Sequence, residues 1–242
     1  MKKGILVISF GTSYPEAERA SILAVESAVQ SAYPDRAAER AYTSRMIIRK
    51  LRERGERVLD VKEGIESLRA MGCEEIIACS THIIPGIEYE QAAREAGVPI
   101  SEPLLADESD LVWMADLLGG IAAEEGRALL VMGHGTDHVA NAVYLRLREK
   151  LPANVYLACV EGPDTLEKLL PELEKAEDRR ITLMPLMLVA GDHARNDLSG
   201  EESDSWKSVL ESRGFDVRAR LMGLGELEEV RTRFLQKLAK IV

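Results

Sequence analysis

The chain has 242 residues, 46% of them hydrophobic and 30% charged, with a net charge of −10. That composition fits a soluble globular protein of one large domain or two small ones and excludes a disordered chain. The acidic balance argues against a general binder of nucleic acid or of anionic membranes. The longest strongly apolar stretch, 183–190, is too short to span a bilayer and contains Pro185. Met1-Lys2-Lys3 ahead of an apolar run imitates a signal peptide. Thr12, Ser13, Pro15 and Glu16 follow without a small-residue cleavage site, so the run reads as the first buried strand of a cytoplasmic protein. Cys73, Cys79 and Cys159 form no C-x-x-C and no pairable set. They read as small buried hydrophobes, and no iron–sulfur cluster is expected.

Short apolar strands alternate with amphipathic helices along the chain. A continuous apolar strand is predicted over 4–10. The next helix opens at Ser13 with Pro15 in its first turn; Ile22, Val25, Val29 and Tyr33 share one face, and Pro34 stops it. A weaker strand over 39–43 follows. Then come a helix from about 44 closed by Gly55 and another from about 58 closed by Gly72. A strand over 75–80, a short fourth strand near 99–105 and a helix around 107–125 complete the first half. The second half repeats the order: strands over 127–132, 154–160, 180–184 and 216–222, with helices over 137–150, 165–176, 202–212 and 226–241.

Strands buried on both faces and separated by helices imply parallel sheets. The expected fold is therefore α/β, with two similar halves, 1–125 and 126–242. Each half holds a four-stranded parallel sheet flanked by helices, with an active-site cleft between the halves. The halves are alike in detail. Ile5-Leu-Val-Ile-Ser-Phe-Gly-Thr12 matches Leu129-Leu-Val-Met-Gly-His-Gly-Thr136, and Ile84-Pro-Gly-Ile-Glu88 matches Val189-Ala-Gly-Asp-His193. This is an internal duplication with loops of different length. Ligands of open parallel sheets bind beyond the carboxyl ends of the strands, so the chemistry is expected there.

Four histidines are present, His82, His134, His138 and His193, and three of them follow an apolar strand directly. His134 stands between Gly133 and Gly135, which let the backbone turn sharply. Glu161 follows the strand over 154–160. His134, Glu161 and His193 thus come from three strand ends of one half. Two imidazoles and a carboxylate suit a borderline divalent ion such as cobalt, nickel, iron(II) or zinc. His138 reads as a polar residue of the following helix. Residues 44–57 carry Arg45, Arg49, Lys50, Arg52, Arg54 and Arg57 against only Glu53 and Glu56. Such a segment is either a solvated helix face or a surface for a polyanionic ligand, with Arg45 at the strand–helix junction best placed to reach it. No G-x-x-x-x-G-K-[ST] and no G-x-G-x-x-G occurs, so nucleotide binding is not expected. Gly133 stands where a phosphohistidine loop would need arginine.

Longer strings point further. Val131-Met-Gly-His-Gly135, the run from Met184-Pro-Leu-Met to Gly191-Asp-His-Ala-Arg-Asn-Asp197, Asp204-Ser-Trp-Lys207, and His82-Ile-Ile-Pro-Gly86 with Glu88-Tyr-Glu90 resemble the anaerobic, class II sirohydrochlorin cobaltochelatases of cobalamin biosynthesis. The resemblance runs from the first strand to the last helix, with departures at Thr81 and Pro85. It implies insertion of Co²⁺, as substrate metal, into sirohydrochlorin or its reduced precursor without ATP. It implies two α/β halves with the tetrapyrrole bound between them. It places the metal-holding and catalytic roles on His134, Glu161 and His193, with His134 as base. On the substrate side the expected contacts are Phe10, Thr12, Ser13, Arg45 and His82. Iron or nickel chelation of a related ring, and a non-catalytic metal or haem carrier, are the alternative readings. The partner is the tetrapyrrole, and a homo-oligomer is compatible with the sequence.

Overall fold

In a computed structural model that describes residues 2–242, seven strands form two parallel sheets. In the first, β1 (Lys2–Ser9) lies between β2 (Arg36–Tyr42) and β3 (Cys73–Ser80). In the second, β4 (Ala128–Gly133) lies between β5 (Val155–Cys159) and β6 (Arg180–Pro185), and β7 (Asp216–Ala219) extends the edge beyond β6. All pairings are parallel. The central strands are apolar because helices cover both of their faces. Leu6 and Ile8 are fully buried with Val61, Ile65 and Leu68 of the helix Val61–Ala70. Leu130 and Met132 are buried with Leu166, Leu169 and Leu173 of the helix Leu166–Leu173. Each such side chain contributes roughly 2 kcal/mol of burial free energy. The three cysteines are buried in these strands, and burial pushes the thiols of Cys79 and Cys159 up to about 12.

The expected α/β class with parallel sheets holds, but the first sheet has three strands where four were expected. The segment near 99–105 contributes one bridge, Ile100 against Ala78, although it runs along β3 as β7 runs along β6. Pro99 and Pro103 remove two donors from a ladder, which leaves only a fragment of strand. A helix over Ile87–Ala96 was not expected. It buries only Ala92 and Ala96, so no large apolar stripe reveals it, although Gly97 closes it in the left-handed region.

The contacts divide the chain into two compact units, residues up to Ala106 with Gly225–Val242, and Asp107–Leu224. This differs from the expected division at 125/126. The helix Glu108–Glu125 packs on β4, and the closing helix Glu228–Ala239 packs on β3 and the helix Leu23–Ala32. Hydrophobic periodicity says that a helix covers a sheet, not which of two similar sheets it covers. The duplication itself reaches the hydrogen bonds. The amide of Thr81 donates to the carbonyl of Ile8 and that of Leu186 to Met132; the amide of Leu104 donates to His82 and that of Leu224 to Met187. Among the described residues no helix is long and apolar enough to cross a membrane.

Candidate metal-binding site

β4 ends at Gly133, and the chain turns at once through His134 and Gly135. Gly135 has φ +82°, and a Cβ there would lie 1.9 Å from the Glu161 carbonyl oxygen, so only glycine fits. The neighbour that comes so close is the loop after β5. The amide of Val160 donates to the Gly133 carbonyl at 3.0 Å, and that of Glu161 to the His134 carbonyl at 2.8 Å. Buried Asn141 continues the seam, accepting from the Thr136 amide at 3.1 Å and donating to Asp164 at 3.0 Å. Tyr144 packs beneath, where a Cβ on Gly133 would come within 2.9 Å of its ring. Burial pushes its phenol well above the ordinary range, partly offset by hydrogen bonds from the backbone of Gly135 and His134.

His193 reaches the same place from the loop after β6, at the start of a π turn over Ala194–Leu198. The rings of His134 and His193 meet edge to face, with centroids 4.9 Å apart and planes at 89°. Each Nδ1 has an acceptor. His134 Nδ1 lies 2.9 Å from the Gly135 carbonyl oxygen, and His193 Nδ1 lies 2.7 Å from Asp197 Oδ2. A carbonyl oxygen and a carboxylate oxygen both accept, so each Nδ1 is the donor and each Nε2 is the ring nitrogen left for another partner. Neutral imidazole in that tautomer is a ligand for a divalent ion. His138 is not part of the pair: it caps the short turn Val139–Asn141, its Nδ1 accepting from the Ala140 amide at 3.2 Å.

Of the three expected ligands, two meet through their side chains. Glu161 is tied to His134 through its backbone, but its side chain is exposed. Among the described residues no group of three or more His, Cys, Asp or Glu is gathered to hold a metal ion. An exposed carboxylate keeps its hydration and rotamer freedom until a cation holds it. The residue missed in the sequence is Asp197. Its spacing of four from His193 across a helical turn was the available signal.

The substrate-side residues all lie in the first unit. Phe10 is 43% exposed just beyond β1, and its carbonyl accepts from the Ser44 amide at 3.2 Å, which sets Arg45 beside it in sequence at the start of the helix Arg45–Glu53. Thr12 and Ser13 are buried. The Thr12 hydroxyl accepts from the Tyr14 amide at 3.3 Å, and the Ser13 carbonyl from the Arg54 guanidinium at 2.9 Å. They shape the loop and offer no exposed hydroxyl. The basic segment sorts itself in the same way. Arg52 pairs with Glu63, and Arg57 with Glu39. Arg45, Arg49 and Lys62 line a depression of about 650 Å³ to which Arg52 also contributes, along with the carboxylates of Glu53, Asp60 and Glu95. His82 is buried, with Nδ1 2.9 Å from Ser80 Oγ, its ring edge-on to Tyr89 and no partner on Nε2. Burial lowers it from 6.5 to about 4, so it is neutral.

Two imidazoles facing each other at the strand ends of a parallel α/β sheet are donors of the type that suits a borderline divalent ion. The chain belongs to the cobalt chelatase (CbiK) family, whose model matches residues 3–242. It is 36% identical over 252 residues to the sirohydrochlorin cobaltochelatase of Salmonella typhimurium, covering 98% of this chain and 96% of that one. It is 31% identical to the sirohydrochlorin cobaltochelatase CbiKC of Nitratidesulfovibrio vulgaris, covering 94% and 86%. Among solved structures, CbiX, the terminal enzyme of siroheme biosynthesis in denitrifying bacteria, matches over the full length of both chains with a TM-score of 0.55 at 15% identity, a likeness of fold.

Proposed function

We propose that this chain inserts Co²⁺ into sirohydrochlorin, in cobalamin biosynthesis and without a nucleotide, with His134, His193 and Glu161 as the residues that handle the metal. The reading rests on family membership together with one observation, the edge-to-face imidazoles whose Nδ1 atoms both face oxygen acceptors, which leaves Nε2 as the nitrogen for an ion. Insertion requires the ion to lose its water and the macrocycle to lose two pyrrole protons. An Nε2 lone pair serves either need, since it binds a divalent ion or accepts a proton. His134 takes one pyrrole proton as its hold on the ion is released, and the second passes to solvent. His193 holds the ion during approach, and the Glu161 carboxylate swings in to stabilise the dication. Two fixed donors and one mobile one make a labile site, which suits an ion that must leave it.

On the substrate side, exposed Phe10 faces the macrocycle, and Arg45 and Arg49 offset its carboxylates. Thr12 and Ser13 hold the Phe10 loop in shape, and His82 supports the wall behind it. A place in the cytoplasm goes with this reading. The test follows the absorbance of sirohydrochlorin with Co²⁺, Fe²⁺ or Ni²⁺, with and without protein. Protein-dependent acceleration with cobalt supports the proposal. Acceleration only with iron or nickel reassigns the metal. A stable complex without turnover makes the protein a carrier.

A further inference from the structure

We propose that Asp197 is a positioning residue for metal transfer: it holds the His193 ring in the Nδ1-protonated tautomer and so keeps Nε2 open toward the ion. The proposal rests on His193 being a metal ligand. Its own observation is the 2.7 Å contact between His193 Nδ1 and Asp197 Oδ2, the length of a charge-assisted hydrogen bond.

The turn that carries Asp197 is fixed at both ends. The Arg195 amide donates to the Gly191 carbonyl at 3.1 Å, the Ser199 hydroxyl to Ala194 at 3.0 Å, and the Gly200 amide to Asn196 at 2.9 Å. A Cβ on Gly200 would lie 2.4 Å from the Asn196 carbonyl, so the chain closes tightly there. Ala194 and Leu198 anchor the turn by full burial. Asp197 therefore stands on a rigid support, as a group that must aim another requires.

The two imidazoles differ in this respect. The acceptor behind His134 is a backbone carbonyl, present whatever the side chains. The acceptor behind His193 is a side chain, the one place where the tautomer of the pair depends on a residue's identity. Without Asp197, the His193 ring is free to carry its proton on Nε2, which blocks ligation, and to turn away from His134. Outer carboxylates of this kind change metal affinity by about 10–100-fold in other sites.

The test uses Asp197→Ala, Asp197→Asn and His193→Ala in the full-length protein. The tautomer of His193 is read in the metal-free protein from imidazole ¹⁵N–¹H correlations. Cobalt binding without tetrapyrrole is read from the visible ligand-field bands of Co²⁺. In wild type the proton sits on Nδ1. Asp197→Ala shifts it toward Nε2 and weakens cobalt binding by about 10–100-fold. Asp197→Asn keeps an acceptor in place, retains the tautomer and loses less. Loss of cobalt binding in His193→Ala but none in Asp197→Ala, with the tautomer unchanged, overturns the proposal alone. Unchanged cobalt binding in His193→Ala removes the ligand reading and the proposal with it.

Discussion

The backbone amide of Glu161 donates to the carbonyl of His134 at 2.8 Å, so the two strand-end loops are held as one piece. Gly135 makes that seam possible, and the first prediction is made there. In Gly135→Ala the new Cβ would sit 1.9 Å from the Glu161 carbonyl in a backbone region that side chains avoid. The expected cost is about 2–3 kcal/mol of stability, read from the urea midpoint. Cobalt insertion should be lost in the fraction that still folds, because the seam must open. Wild-type stability with wild-type turnover would mean that the two loops are independent.

The proposed ligand residues make the second prediction. His134→Ala and His193→Ala should each lower cobalt insertion by about a hundredfold or more while leaving the circular dichroism and thermal midpoint near wild type. Both rings lie half-buried at strand ends rather than in a core, so their removal opens little cavity. Glu161→Gln keeps the shape and removes the charge; insertion should slow and the cobalt requirement rise. Turnover that survives either histidine change takes that residue out of the mechanism.

The parallel α/β class and the closeness of His134 to His193 were legible because both rest on local patterns: continuous apolar strands, Gly-His-Gly, and the repeat that aligns Phe10 with His134 in sequence. The same repeat appears in space as equivalent backbone bonds, Ser44 to Phe10 and Glu161 to His134. What was not legible depends on tertiary choice. The helix Ile87–Ala96 buries only alanines. The helices at 108–125 and 228–239 cover sheets that the sequence cannot tell apart. The free side chain of Glu161 and the Asp197 contact are matters of rotamer, which spacing constrains but does not select.

His82 gives the third prediction, a dependence of stability on pH. Burial lowers its imidazole from 6.5 to about 4. Between those values the unfolded chain takes up a proton that the folded one refuses. Stability therefore falls as pH drops from 6.5 toward 4 and levels off below, by about 3 kcal/mol in total at most. Above 6.5 both states are neutral and His82 contributes no slope. In His82→Phe, which preserves the ring packed against Tyr89, that part of the acid limb should vanish. The measurement is the difference in unfolding free energy between wild type and variant from pH 7 to 4. A constant difference would show that His82 is protonated in the folded state as readily as in the unfolded one.

Arg45 makes the last prediction, because the basic segment 45–57 mixes structural and unengaged cations. Arg57 pairs with Glu39 at 3.2 Å, whereas exposed Arg45 lines the depression beside Thr43. If Arg45 meets a carboxylate of the substrate, Arg45→Ala should raise the KM for sirohydrochlorin roughly tenfold, the loss of one charge-assisted contact of about 1.5 kcal/mol. Its kcat and the apparent affinity for cobalt should hardly move, since neither depends on capture of the ring's periphery. Stability should change by well under about 1 kcal/mol. Salt sharpens the comparison: rising ionic strength should weaken wild-type substrate binding, and less so in the variant, because screening acts on the charge that was removed. Arg57→Ala is the control, expected to leave both KM and its salt dependence in place. An Arg45→Ala protein with wild-type KM at every ionic strength would return the basic helix to the role of a solvated surface.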